Sequence, residues 1–341
     1  MSHPFSRPSH MEEYVKYSIF AAGFLMAGMA HAETPILEVY TYDSFVTEWG
    51  PGPQVEAAFE AVCACDIRFV GTGDGAALLS RLKLEGSQTD ADVVLGLDTS
   101  LTVDAAATGL FAPHGLNADF SLPVAWEDPV FLPYDWGYFA FVYDTTRLST
   151  VPRSFEALAA SEIRIVIQDP RSSTPGLGLL YWIKSAYGAR ATEIWTALAD
   201  NIVTVTPGWS EAYELFLAGE ADMVLSYTTS PAYHLIAEGD ATKAAARFSE
   251  GHYMQVEVAA RLVGSDQPDL ADQFLRFMLS EGFQAIIPSV NWMYPAVTPA
   301  AGLPDGFETL ITPDTALLFS PSEAAALRDD ALAEWLAALS R

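Results

Sequence analysis

Met223-Val224-Leu225-Ser226-Tyr227-Thr228-Thr229-Ser230-Pro231-Ala232-Tyr233 is a short apolar run that stops abruptly in a loop crowded with hydroxyls and aromatic rings. In an open α/β sheet, ligands sit at the ends of the strands. Rings and hydroxyls placed there stack on a flat ligand and hydrogen-bond its edge. Upstream, Ala91-Asp92-Val93-Val94-Leu95-Gly96 echoes Ala221-Asp222-Met223-Val224-Leu225-Ser226. Each run follows a helix-like stretch that closes at a glycine, Gly86 or Gly219, and the echo points to two related lobes.

Working outward, strand-like and helix-like stretches alternate, the pattern of α/β architecture. Expected strands are 37–42, 67–70, 92–97 and 139–143, then 163–167, 202–205 and 223–226, with 255–262 returning to the first lobe. Expected helices include 54–62, 76–84, 268–279 and 321–339. The last opens with Ser320-Pro321-Ser322-Glu323, a capping box with proline at the first helical position. A second βα series begins near Pro152, and no low-complexity linker interrupts the chain.

Three other strand-end or turn segments resemble the opening one: Tyr40-Thr41-Tyr42-Asp43-Ser44-Phe45, Pro207-Gly208-Trp209-Ser210 and Asn291-Trp292-Met293-Tyr294-Pro295. Large rings in turns need somewhere to pack, and a pocket is one answer. Tyr42, Trp209, Tyr227, Tyr233 and Trp292 are the candidates, whereas Trp182 and Trp195 fall in helical stretches and read as packing. In Arg171-Ser172-Ser173-Thr174-Pro175-Gly176, Thr174 is a natural N-cap and Pro175 a natural first helical residue. Free amides near Gly176 and Leu177 would suit a phosphate or carboxylate, and an ordinary capped helix is the equal alternative. Gly71-Thr72-Gly73-Asp74-Gly75 follows a strand but is neither G-x-G-x-x-G nor a P-loop. Its glycines let the backbone approach a ligand closely, and Asp74 can face a cation or an amino group; a tight turn with a solvated aspartate is the plainer reading.

The first residues carry a different signal. Lys16, an apolar run at 19–30 and Ala30-His31-Ala32 before Glu33 make a secretory leader, expected to be removed from residues 1–32. Met11 is a second candidate start. The leader holds Arg7 and Lys16 against Glu12 and Glu13, so the remainder keeps the whole net charge of −27. Nucleic acid is excluded as a partner, because phosphate binding needs clustered Lys and Arg. A negative field suits a cationic ligand, and it is equally the mark of an ordinary acidic surface. No later segment reads as transmembrane. The roughly 309 residues after the leader exceed one typical core and imply two lobes.

Catalytic signals are thin: His114, His234 and His252 have no metal-motif spacing, and no G-x-S-x-G elbow occurs. Cys63 and Cys65, separated by Ala64, are compatible with a tight disulfide or a metal, with a structural role preferred.

Longer strings carry more information than any of these motifs. Trp49-Gly50-Pro51-Gly52-Pro53, Gln168 to Gly178, Gly208-Trp209-Ser210-Glu211-Ala212-Tyr213, Ser226 to Tyr233, Phe248-Ser249-Glu250-Gly251-His252-Tyr253 and Asn291 to Pro295 join Tyr40 to Phe45 and Ala91 to Asp98. On these strings the chain closely resembles the periplasmic thiamine-binding proteins of bacterial ABC importers, across essentially the whole mature length. The resemblance implies an α/β, two-lobed type II periplasmic-binding fold, each lobe a mostly parallel sheet flanked by helices and joined by a strand hinge. Lobe 1 is expected at 33–138 and 255–341, lobe 2 at 139–254. It implies a periplasmic, monomeric, non-enzymatic binder of thiamine (vitamin B1) and its mono- and diphosphate, without a cofactor, delivering them to a membrane permease. The family's pocket maps onto Tyr42, Trp49, Asp74, Ser173, Trp209, Tyr227, Tyr233 and Trp292, to which the helix start adds Thr174 and Gly176. Tyr42, Tyr227, Tyr233 and Trp292 are expected to sandwich the two rings. Asp74 is assigned to charge complementarity or the amino group, and Ser173 with 174–176 to the hydroxyl or phosphate end. Two rivals stand: a thiaminase I-type enzyme using Cys63 or Cys65, and a ferric-ion-binding protein using Tyr227 and Tyr233.

Overall fold

The first half of the molecule is set by three short apolar strands and the helices between them. The computed structural model describes residues 34–340, so the leader and the second methionine lie outside it. β1 (Ile36–Thr41), α1 (Gly52–Cys63), β2 (Asp66–Gly71), α2 (Gly75–Glu85) and β3 (Val93–Asp98) follow in order, then a short helix α3 (Thr102–Ala106). α1 ends at Ala64, whose left-handed backbone (φ 53°) turns the chain directly into β2. Cys63 and Cys65 flank that turn and are disulfide-bonded.

β4 (Leu132–Asp144) is the longest strand, at 13 residues. After α4 (Phe155–Ala159) a second series begins: β5 (Ile165–Gln168), α5 (Thr174–Tyr187), α6 (Ala191–Leu198), β6 (Ile202–Thr206), α7 (Trp209–Leu217) and β7 (Met223–Tyr227). A short helix α8 (Pro231–Tyr233) widens into a π-turn through Glu238, and β8 (Lys243–Ala245) leads to β9 (His252–Arg261). The chain closes with α9 (Pro268–Met278), α10 (Glu281–Gln284), the minimal strands β10 (Tyr294–Pro295) and β11 (Ala316–Leu317), and α11 (Pro321–Leu339). α11 opens with the expected capping box: Ser320 accepts from Glu323 N, and Glu323 answers the Ser320 amide.

The strands line up in the order β2-β1-β3-β9-β4-β7-β5-β6. At each end three strands run parallel, and β9 and β4 lie antiparallel between them. β3 and β7 therefore hold equivalent places, each flanking the central pair, which accounts for the repeat in their sequences. The equivalence reaches the hydrogen bonds. Asp92 accepts from Glu38 N at the mouth of β1, and Asp222 accepts from Arg164 N at the mouth of β5, both at 2.9 Å. β4 pairs with β9 up to Tyr138–Met254 and then with β7 from Phe139–Tyr227, so one strand serves both halves of the sheet.

β4 begins at Leu132 and β9 at His252, both earlier than the hydrophobic pattern predicts. Asp135 and His252 lie in these added parts, fully buried, and buried polar residues mask a strand when only apolar runs are counted. Trp182 and Trp195 are core residues, as expected, with the Trp182 indole N–H donating to Gly251 O at 2.9 Å. Among the described residues no helix is long and apolar enough to cross a membrane.

Candidate ligand-binding site

The carboxyl ends of β1, β2, β5, β6 and β7 bring their following residues to one crevice, as parallel α/β sheets do. A cavity of about 290 Å³ opens there, and Tyr42, Trp49, Asp74, Thr174, Trp209, Tyr227, Tyr233 and Trp292 all line it. Ser173 and Gly176 stand one layer back. Ser173 is fully buried with its hydroxyl turned to Asp74, and a Cβ on Gly176 would meet Gln168 O at 2.5 Å.

The aromatic wall is built in pairs. Trp209 stacks on Tyr213 (centroids 4.9 Å apart, 28° between planes), and Trp49 tilts against Trp209 at 6.2 Å. Tyr233 meets Trp292 edge-on at 5.7 Å, and Tyr227 lies on Phe139 at 5.2 Å. Trp292 takes a left-handed backbone (φ 56°), a strained conformation for a bulky residue that turns its indole into the wall. Trp49 is 57 % exposed and marks the rim. Tyr42 reaches its place because β3 has glycine opposite it: a Cβ on Gly96 (φ +107°) would come within 2.3 Å of the Tyr42 ring.

The hydroxyls of the 226–230 loop work mainly on the wall. Ser226 accepts from the Trp209 indole N–H at 2.8 Å and shares a 2.7 Å hydrogen bond with Ser230. Ser230 also accepts from Tyr227 N. Deleting the Ser226 hydroxyl would free the indole.

Asp74 is the knot of the site. Its Oδ2 accepts from Ser173 Oγ at 2.7 Å and from Trp209 N at 3.2 Å, so one carboxylate meets the N-terminal ends of α5 and α7. Such ends favour an anion. Burial is the largest influence on Asp74 and pushes its pKa up to about 6, against the pull of those two hydrogen bonds. Here the sequence expectation needs correction: the N-cap of α5 is Ser173, and Thr174 is the first helical residue. Ser173 makes no capping bond because its hydroxyl is committed to Asp74, and Thr174 Oγ1 instead accepts from Gly75 N at 3.2 Å. The glycine cluster does permit a close approach, but between segments of the chain: a Cβ on Gly75 would lie 2.6 Å from Thr174 Oγ1.

Glu257, Tyr213 and Asn291 also line the cavity, and the residue-type reading missed them as site residues. Tyr213 sits on an ordinary helical face. Glu257 did carry a signal, a lone acid between Val256 and Val258 in a buried strand. Among the described residues the lining contains Asp74, Glu214 and Glu257 and no Lys, Arg or His. The three histidines are engaged elsewhere: His114 with Asp128 O, His234 with Tyr213 and Glu238, and His252 with Phe139 O.

A model of the bacterial extracellular solute-binding proteins matches residues 46–285. The chain belongs to that family. The thiamine-binding periplasmic protein of Salmonella typhimurium is 54% identical over 93% of this chain and 97% of its own length. That of Brucella melitensis is 50% identical over 95% and 98%. A solved periplasmic thiamin binding protein superposes with a TM-score of 0.88 at 54% identity, covering 90% of this chain and 97% of its own. Iron-bound HitA from Pseudomonas aeruginosa, 20% identical, covers 89% of this chain and 99% of its own with a TM-score of 0.71; that likeness concerns the fold alone. The expected type II periplasmic-binding fold, periplasmic location and role in solute binding all hold for this family member.

Proposed function

We infer that the chain captures thiamine and its mono- and diphosphate in the aromatic crevice and hands them to the membrane component of an ABC importer. The observation that carries this reading is the lining itself: aromatic walls around buried carboxyl groups with no cationic side chain among the described residues. Such a cavity suits a flat, positively charged molecule, since a cation over ring faces gains about 0.5–2 kcal/mol per contact. The relatives named for thiamine supply the same answer. Tyr42, Tyr227, Tyr233 and Trp292 grip the rings, while the start of α5 serves the hydroxyl or phosphate arm, Thr174 from the lining and Ser173 and Gly176 from the layer behind it. Asp74, already bonded to Ser173, faces that arm or the amino group.

The protein works as a monomer, without a resident cofactor and without catalysing a reaction. In support, its two cysteines are disulfide-bonded, which leaves no thiol nucleophile. Lobes at 33–138 with 255–341 and at 139–254 close by bending where β4 exchanges β9 for β7. A ferric site would need tyrosinates, and burial instead holds the Tyr227 phenol well above its usual range.

Calorimetric titration of refolded, ligand-free protein with thiamine, then each phosphate, is the test. Submicromolar one-to-one binding is expected for at least one of them. No binding by demonstrably folded protein would overturn the ligand while leaving the fold intact.

A further inference from the structure

A row of carboxyl groups crosses the middle of the sheet, beyond what the aromatic walls require. Glu257 on β9 lies opposite Asp98 on β3 and opposite Asp135 on β4. All three are buried, and like charges directly opposed across strands cost stability. Asp98 is answered locally, accepting from Ser100 N at 2.7 Å and from the Ser100 hydroxyl, with the Arg328 guanidinium acting on it. Among the described residues Glu257 has no such cation. Its Oε2 accepts from the Tyr134 hydroxyl at 2.6 Å and its Oε1 from the Gln255 amide at 2.9 Å. Asp135 Oδ2 accepts from Asn291 at 2.7 Å, while its Oδ1 is buried without a donor. The charged groups acting on Glu257 are Asp98 from β3, Asp135 from β4 and Asp74 from the head of α2, all acids. The phenols of Tyr134, Tyr42 and Tyr227 face it as well, and burial keeps each of them neutral. Of the row, Glu257 is the member that lines the cavity.

We propose that Glu257 is the specificity-determining residue for a positively charged ligand, its carboxylate acting as counter-charge to a cationic ring held beside Tyr42 and Tyr227, with Asp135 as its positioning partner. This rests on the thiamine reading above, and it assigns the cation to Glu257 rather than to Asp74. With no cation beside them, two carboxyl groups opposed across strands resist ionising together. Burial first, then the neighbouring acids, push Glu257 up to about 7 and hold Asp135 well above the carboxylate range. A proton on Asp135 supplies the hydrogen bond that Oδ1 otherwise lacks. A cation arriving in the cavity favours ionised Glu257, so its binding tightens as pH rises toward and through about 7.

The experiment is calorimetry of the full-length mature protein and of Glu257→Gln, from pH 6 to 8.5, with thiamine and with an uncharged thiophene isostere of thiamine. The parent is expected to favour thiamine over the isostere by about tenfold or more at pH 8, with the preference shrinking at pH 6. In Glu257→Gln, thiamine should weaken until the two ligands differ by less than about threefold, with isostere binding kept and the pH dependence flattened. Equal loss for both ligands, or an unchanged preference, overturns the proposal. Should the variant fail to fold, the parent alone decides: a preference below about threefold at pH 8, or one lost around pH 6 as Asp74 would give, overturns it, and a larger one lost around pH 7 upholds it. Absence of thiamine binding by the folded parent would instead sink the functional reading itself.

Discussion

Two buried carboxyl groups of the cavity, Asp74 and Glu257, have pKa values raised to about 6 and about 7, chiefly by burial. A raised folded-state value means that each group's contribution to stability is complete below about pH 4 and is lost as pH rises through 6 to 7. Glu257→Gln removes that penalty, and its amide can donate toward the orphaned oxygen of Asp135. The variant is therefore expected to melt a few degrees above the parent at pH 8, the gap closing by about pH 4, as thermal scans at both pH values will show. Gly96 predicts the opposite kind of failure. A Cβ there meets the Tyr42 ring at 2.3 Å on a backbone with φ +107°. Gly96→Ala should cost about 1–3 kcal/mol of stability and weaken ligand binding by about tenfold, because Tyr42 must leave the wall. An unchanged affinity by titration would show that Tyr42 is dispensable.

At the scale of elements, helix ends do two different jobs. α11 is stabilised by its Ser320–Glu323 capping box, remote from the crevice. Ser320→Ala should cost about 1 kcal/mol, roughly 2–4 °C in melting temperature, with calorimetric affinity unchanged. α5 has the sequence of a capped helix, yet its Ser173 hydroxyl is spent on Asp74. Thr174 and Ser173 are equally good caps locally, so the local pattern puts the N-cap at Thr174, one residue from its place at Ser173. What separates them is Asp74, 99 residues away, which claims the Ser173 hydroxyl.

For the whole molecule, a net charge of −27 surrounds a cavity whose titratable lining is acidic. A field of one sign raises the encounter rate with a cation and is screened by salt. Stopped-flow association with thiamine should therefore slow severalfold between about 10 mM and 1 M salt, with much less change in the dissociation rate. A salt-independent association rate would show that the acidic surface plays no part in capture.

Much of this molecule was legible in the chain. The alternation of short apolar runs and helical stretches determined the α/β class, because burial on both faces of a parallel strand writes itself as a continuous apolar run. Rings expected in turns, Tyr42, Trp209, Tyr227, Tyr233 and Trp292, marked the crevice, although only Tyr42 and Trp292 lie outside regular elements: Tyr227 ends β7, Trp209 opens α7 and Tyr233 closes α8, the boundary positions from which a large ring reaches a pocket. Tertiary structure alone decided the rest. It brought Asp74 to Ser173 and Trp209, and set Glu257 between Asp98 and Asp135 on three adjacent strands. A carboxyl group's charge depends on what surrounds it after folding, and those surroundings come from segments far apart in the chain.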